Sequence, residues 1–400
     1  MRKQNARGGT LSSFLECLLA GDHILKTEAA RILGESCVRC QGFLLSSPTH
    51  HCDMKVFAAL IASGAAVSAA PFYGFPNPSQ ANVLRIQNQA GGTLPNTPLP
   101  TSLPPDAAQT LQIIAANEMF EVAYFSSLLH NVTNSVDGYT DFGGTTKEYV
   151  VESLKTILAQ EELHAVGANA ILASAGEKTI GACQYKFPVN DFRSAIALAS
   201  TFTDLVLGTL QGAQTTFASD GVLGLVGLVG SIIGEEAEQN GAYRVIQKKT
   251  PASAPFLTAS VGAFAFNAVN QKFIVPNSCQ ASSNISVISV PQFKTLELAH
   301  SNSSPQAKNS TLRFTTSYSQ LSKSGNYVAY ISGQNKPVVR PIQNVSKNGD
   351  KATFEAHFPF GAGFSKGLTI AALVKSKGPF ANASSVVDDT IAGPGLIEID

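Results

Sequence analysis

The sequence predicts an α+β multidomain protein, a four-helix bundle followed by a small antiparallel β-sandwich. Three observations lead there. Apolar residues recur every three or four positions through four long stretches ending near Ile246, the period drops to two beyond Cys279, and Gly, Asn, Pro and Ser separate the later apolar runs. With 400 residues, 44% of them hydrophobic, the chain has material for two or three domains with real cores.

The elements follow in order. From Met54 the chain reads Met-Lys, then an apolar run from Val56, then a small-residue exit at Val67-Ser-Ala69. That is the order of a secretory signal peptide, expected to span 54–69 and to leave Ala70 as the first mature residue. Residues 1–53 are then an upstream extension outside the mature protein; the alternative is a genuine N-terminal region with the apolar run as a buried helix. Cys17, Cys37, Cys40 and Cys52 all precede Met54, and with His50 and His51 they complete no defensible four-ligand zinc pattern. Cys183 and Cys279 are the two cysteines that remain after processing, and an oxidising compartment predicts a disulfide between them. Asn131, Asn284, Asn302, Asn309, Asn344 and Asn382 each begin an Asn-x-Ser/Thr triplet, the acceptor pattern for glycans on a secreted chain.

Residues 70–105 are studded with Pro and Gly and predict an extended arm. Asp106, after two prolines, is a natural N-cap for the first bundle helix, whose stripe runs Leu111, Ile114, Phe125 and Leu128 with Glu118 and Glu121 inside it. Thr145-Thr-Lys-Glu148 reads as a capping box for the second, whose stripe carries Leu154, Glu161, His164 and Ile171. A third helix runs from about Asp191 through Ile196, Thr203 and Leu210. A fourth runs from about Val222 through Val229, Glu236, Gln239 and Ile246, and its repeated glycines suggest tight packing against a neighbour. A fifth helical stretch, about 254–273, precedes Cys279, so the bundle domain is bounded at 106–279. In the β-sandwich region, 280–400, strands are expected at 285–290, 312–318, 327–331, 338–342, 352–358 and 368–374.

Charge excludes several function classes. Lys+Arg and Asp+Glu balance at 28 each, which leaves no field for gripping a nucleic-acid backbone. The longest apolar runs fall short of the roughly 18–20 residues of a membrane-spanning helix, so no transmembrane segment is expected. No Gly-x-Ser-x-Gly elbow is present to suggest a hydrolase.

The chemistry lies in the polar residues of the apolar stripes. A carboxylate on a packing face costs several kcal/mol unless something pairs with it, and three helices each bring one. In carboxylate-bridged bundles, two helices give one Glu each and the other two give Glu-x-x-His. Glu118 or Glu121, Glu161 with His164, and Glu236 follow that order, with Asp204 near the position where the third helix should contribute. A single Fe, Mn or Zn ion tolerates such ligands. The alternative on the same residues is a hydrogen-bonded polar cluster without metal, in which protonation or an arginine compensates burial.

The segments Asn-Glu118-Met-Phe-Glu121-Val-Ala-Tyr-Phe, Gln-Glu161-Glu-Leu-His164-Ala and Glu236-Ala-Glu-Gln239-Asn-Gly-Ala-Tyr-Arg resemble the ferritin-like domain of fungal stress-response and late-sexual-development proteins, related to plant desiccation-associated proteins. The resemblance covers about Asp106 to Cys279, where Phe273-Ile-Val-Pro-Asn-Ser-Cys279 is similar to the segment closing that domain. It implies a ferritin-like four-helix bundle, secretion and a metal site, and no established reaction. Thr203 and Gln239 depart from the pattern, standing where a carboxylate and a histidine belong, so a degraded, at most mononuclear centre without rapid ferroxidase activity is expected. The runner-up readings are an extracellular metal-dependent redox or peroxide-handling enzyme, and a non-catalytic extracellular protein associated with the cell wall.

Overall fold

The computed structural model describes residues 77–299, 305–321 and 326–400. The upstream region, the signal segment, the first four cysteines and the Asn302 triplet lie outside the described residues. Among the described residues no helix is long and apolar enough to cross a membrane.

The segment predicted as an extended arm contains a helix, α1 (Gln80–Ala90), capped by Ser79 and ended by Gly91 in the left-handed region. Its Pro and Gly residues flank residues 80–90, which contain neither, so the breakers bound a helix where they were read as excluding one.

Four long helices follow: α2 (Pro105–Thr133), α3 (Lys147–Ser174), α4 (Phe192–Ser219) and α5 (Leu223–Ile246). Asp106 does not cap α2. Pro104 takes that place and Pro105 the first turn, where its missing N–H costs nothing. The box predicted at Thr145–Glu148 lies one residue later and is one-sided: Thr146 Oγ1 accepts from the Tyr149 amide at 3.2 Å. At α4 the box is reciprocal, Asp191 Oδ1 accepting from the Ser194 amide at 2.7 Å. The short α6 (Gly262–Lys272) starts later than expected, because Pro251 and Pro255 interrupt the stretch before it.

Packing against α3, α4 and α6 surrounds α2. Its residues from Leu111 to Leu128 are buried on every face. A helix with no solvent side has nowhere to send a polar side chain, which is why Glu118 and Glu121 are 0% and 1% exposed. Phe120, Tyr124, Phe125, Phe202 and Phe273 fill the space beside them, with Phe120 and Phe202 edge to face at 5.1 Å between centroids. Cys183 and Cys279 form a disulfide beside a short ladder in which Lys186 N–H donates to Phe273 O and Val275 N–H to Gln184 O. It ties the α3–α4 connection to the chain leaving α6.

The glycines of α5 do not serve close packing as expected. A methyl group added at Gly224, Gly227 or Gly234 would meet nothing within 4 Å; only Gly230 is tight, against the Gln214 side chain at 2.9 Å. Each of the other three costs the helix about 0.5–1 kcal/mol relative to alanine without a packing return.

Beyond α6, the run predicted as a strand at 285–290 instead begins as a 3₁₀ turn, Ile285–Val287. Its side chains lie on the bundle, beside Ile288 and the α2 residues Leu111 and Ile114. Its apolar pattern is that of a covering segment. The strands are β1 (Glu297–Leu298), β2 (Ser310–Ser317), β3 (Tyr327–Ser332), β4 (Val338–Asn348), β5 (Lys351–Phe358), β6 (Gly367–Val374) and β7 (Thr390–Ile399), with a short helix α7 (Ala383–Val387) before the last. They form one antiparallel sheet ordered β1-β2-β5-β4-β3-β6-β7. The sheet curls into a near-barrel. Its two ends approach where Lys294 bridges to β7, with the Gly393 amide donating to Lys294 O at 2.8 Å, and closure satisfies edge groups that a sandwich leaves open.

The strand β6, between β3 and β7, is buried along its whole length. Ala371 and Leu373 face the barrel interior, whereas Leu368, Ile370, Ala372 and Val374 pack on Phe264, Ala265 and Ala268 of α6 and Leu205 of α4. A strand buried on both faces is what joins the barrel to the bundle.

Candidate metal centre

Helical periodicity brings Glu118 of α2, Glu161 and His164 of α3, and Glu236 of α5 to one point. One ligand atom from each lies within 4.8 Å of all the others. Glu161 and His164 stand three residues apart on one face of α3, and Nδ1 of His164 is 3.1 Å from Glu161 Oε2 and 3.7 Å from Glu118 Oε2. Its Nε2 faces Glu235 Oε2 at 3.7 Å.

The two departures from the expected pattern have distinct roles. Gln239 is a clamp: its Nε2 donates to Glu161 Oε1 at 2.8 Å and to Glu235 Oε1 at 2.7 Å, while its Oε1 accepts from Tyr243 Oη at 2.9 Å. Thr203 is buried at 1% exposure and its hydroxyl has no partner. Glu121 lies beside the four without joining them, its Oε1 accepting from Asn117 Nδ2 at 2.7 Å.

Asp204 does not join the centre. One residue past Thr203 is about 100° further round the helix, so its carboxylate turns to a second cluster. Its Oδ1 accepts from Asn240 Nδ2 at 2.8 Å, and Arg244, Lys249, Glu398 and Asp400 stand around it. The Asn240 carbonyl accepts in turn from Ser200 Oγ at 2.7 Å. Lys249 Nζ and Arg244 Nη2 pair with Asp400 at 2.8 and 3.7 Å.

Burial dominates the electrostatics of the candidate centre. It raises Glu118 to about 7 against the opposing pull of His164, and Glu235 likewise to about 7. Glu121 and Glu236 are pushed well above the usual carboxylate range, first by burial and then by neighbouring carboxylates. Burial alone would lower His164, but the Glu161 charge and the contacts with Glu118 and Glu161 hold it well above its ordinary value.

A decisive observation is what these groups lack. Both oxygens of Glu118 and both of Glu236 are buried with no hydrogen-bond partner. Buried carboxylates are almost always paired or metal-bound, and among the described residues no Lys or Arg forms an ion pair with these two. Three carboxylates and an imidazole are a donor set that Fe, Mn and Zn accept, so the residues fit a divalent ion.

Residues 106–249 match the family model of the ferritin-like domain. The matched stretch coincides with α2 to α5, which start at Pro105 and end at Ile246. The chain is thus a helical ferritin-like domain followed by a seven-stranded antiparallel near-barrel. No curated protein matches the chain.

Asn117, Gln160 and Tyr243 stand in the three segments that carry the resemblance, where the sequence assigns them no supporting role. A signal existed for two of them: Tyr243 stands four residues after Gln239, and Asn117 four before Glu121, the spacing at which helix side chains meet. Gln160 Oε1, 3.4 Å from Gln239 Nε2, comes from a different helix and had no such signal. His130 is exposed at the end of α2, away from the centre. The candidate glycan acceptors among the described residues carry structural bonds. Asn284 and Asn344 donate through Nδ2 to Thr179 O and Glu355 Oε2, Asn309 and Asn382 accept through Oδ1 from the Gly361 and Ser385 amides, and Asn131 is half-buried in the last turn of α2.

Proposed function

We propose that this protein is a secreted, metal-binding member of the ferritin-like group that holds one Fe, Mn or Zn ion and does not oxidise ferrous iron rapidly. The observation that carries the reading is the convergence of Glu118, Glu161, His164 and Glu236, with four carboxylate oxygens that accept no hydrogen bond. When bound, a divalent ion supplies Lewis acidity at this point. The chain's own residues do the rest. Gln239 fixes the Glu161 carboxylate, and Tyr243 fixes Gln239.

The absence of rapid ferrous oxidation rests on Thr203 and Gln239. Two-metal oxidation calls for ligands from all four helices, and a lone hydroxyl and a neutral amide are poor donors to iron. Secretion from Met54 rests on the signal pattern and accords with a disulfide between Cys183 and Cys279. Glycosylation, extracellular or cell-wall association and a place in stress response or sexual development rest on the Asn-x-Ser/Thr triplets and on the resemblance of the three helix segments.

Elemental analysis of the exported chain tests the reading: at most about one ion per chain is expected, since only one side of the usual two-metal site keeps its ligands. Glu161→Ala or His164→Ala should remove it, and Thr203→Glu with Gln239→His should create room for a second. Two irons bound by the unmodified chain, with oxygen consumption on adding ferrous iron, would overturn the proposal. N-terminal sequencing should begin at or near Ala70; an intact chain beginning at Met1 would overturn the assignment to secretion.

A further inference from the structure

A cavity of about 360 Å³ lies between α2, α3, α5 and the segment 90–95, and it ends at the candidate centre. Glu118, His164 and Glu235 line one end of it. The walls are mostly apolar: Leu111, Ile114, Ile171, Leu225, Val229 and Ile232 line them, and Leu94 covers Gly167, one turn of α3 from His164. Glu118 is 0% exposed, lines this cavity, and has no hydrogen-bond partner at either oxygen. The cavity is therefore not a packing defect in a uniform core; it is an apolar space with unpartnered chemistry at one end.

The wall supplied by α5 is unusual. Gly224, Gly227 and Gly234 interleave with Leu225, Leu228, Val229 and Ile232 along the same stretch of helix, and none of the three is needed for packing. Glycine weakens a helix where it stands, so this stretch is the weakest of the walls, and it borders the cavity.

We infer that the cavity is the binding site for an uncharged apolar organic molecule, a medium-length chain or a two-ring aromatic, held with one end at Glu118, His164 and Glu235 and admitted by movement of the glycine-bearing half of α5. The volume lies at the lower end of the roughly 300–1,000 Å³ typical of small-molecule sites, which suits such a molecule and excludes a polymer. Neither Lys nor Arg lines the cavity, and its one histidine, His164, is flanked by Glu118 and Glu235 at 3.7 Å each, so an anionic head would meet carboxylates there. To call the molecule a substrate rests on the metal-centre reading; its binding does not.

The test uses the full exported chain and a neutral fluorescent probe, N-phenylnaphthylamine, with decanol as competitor. Saturable probe binding at one site per chain, displaced by decanol, is expected. Leu228→Trp, which places a large ring on a half-buried wall position, should weaken probe binding at least tenfold while leaving metal content and the circular dichroism unchanged. If that variant fails to fold, Ile232→Phe serves in its place. Glu161→Gln, outside the cavity lining, should lose metal and keep probe affinity within twofold. Replacing Gly224, Gly227 and Gly234 together with Ala should raise thermal stability and slow probe entry severalfold in stopped-flow mixing. An unchanged entry rate would overturn the proposed movement of α5. Metal without decanol-sensitive probe binding would overturn the inference and leave the proposed function standing, and probe binding without metal would do the reverse.

Discussion

Two buried clusters of charged groups share the helix α5 and resolve the same difficulty differently. On one ridge of that helix Glu235, Gln239 and Tyr243 succeed each other at four-residue intervals; on the next, Glu236, Asn240 and Arg244 do so. At the candidate metal centre, carboxylates of α2, α3 and α5 converge, and among the described residues a histidine, with no lysine or arginine in ion-pair reach, stands with them. Where α4 and α5 meet the end of β7, Asp204 and Glu398 are also buried, but Arg244 and Lys249 stand beside them and reach Asp400. One cluster carries its own cations. The other is arranged as though its cation comes from outside. Burying carboxylates is costly in both places, and the difference between them is the source of the compensating charge.

The sharpest way to break this contrast is to remove the built-in cation. Arg244→Leu leaves Asp204 and Glu398 buried with only Lys249 nearby and should cost about 3–5 kcal/mol at pH 8, the usual penalty for stripping one partner from a buried ionic group. The sign with pH follows from Asp204, whose carboxyl burial raises to about 6, with Arg244 pulling it down. A group raised in the folded state gives stability that is present below its ordinary range and lost as pH rises through the folded value. Protonation at pH 5 should therefore shrink the cost of the substitution. Urea unfolding at both values checks this, and an equal cost at pH 5 and 8 would remove the electrostatic account of this cluster.

A somewhat smaller effect should separate the two clusters by their response to metal. An ion supplied at a hundred times its dissociation constant stabilises the folded chain by about 2.7 kcal/mol, or a melting temperature roughly 5–10 °C higher for a domain of this size. Glu236→Gln should abolish that rise, whereas Arg244→Leu should keep it. A rise that survives Glu236→Gln would place the ion elsewhere.

With a chelator present, the candidate centre should show its own pH dependence. Glu118 and Glu235 are both raised to about 7, so by the same sign rule the metal-free protein should lose stability as pH climbs from about 4.5 to 7. Glu118→Gln should lower that slope by up to about 1.4 kcal/mol per pH unit, the equivalent of one proton. Calorimetry across the window reads it, and saturating metal should flatten it. The smallest effect belongs to Thr203, next to Asp204 in sequence. Its hydroxyl is buried and unpartnered, so Thr203→Val should change stability by less than about 1 kcal/mol in either direction. A larger loss would reveal a bond that Thr203 makes through water.

Much of the bundle is legible in sequence because long helices with apolar stripes advertise themselves, and a glutamate inside such a stripe is conspicuous. Glu118, Glu161, His164 and Glu236 stand out for that reason. Asp204 misleads because adjacency in sequence is not adjacency on a helix: one step turns the side chain toward Asn240. The partners of Asp204 could not have been read, since Glu398 and Asp400 come from nearly 200 residues away. In the β region, Ala352–Phe358 and Leu368–Val374 alternate or run apolar and are found as strands, while β7 hides behind Gly393-Pro394-Gly395, a run of turn formers that the sheet absorbs where its register with β6 shifts. Two packed sheets and one curled sheet share the same alternation, so sequence pattern alone does not separate a sandwich from a near-barrel.

The bond between Cys183 and Cys279 encloses α4, α5 and α6 within a covalent ring spanning 96 residues of separation. Lys248, exposed after α5 with φ of 62°, lies inside that ring. A protease that cuts there would therefore produce two polypeptides but not two particles: the piece carrying Glu118, Glu161, His164 and Glu236 would stay tethered to the piece carrying the barrel. Wear of this kind would be invisible until a reductant was added, and a chain nicked there would keep all four candidate ligands in one assembly.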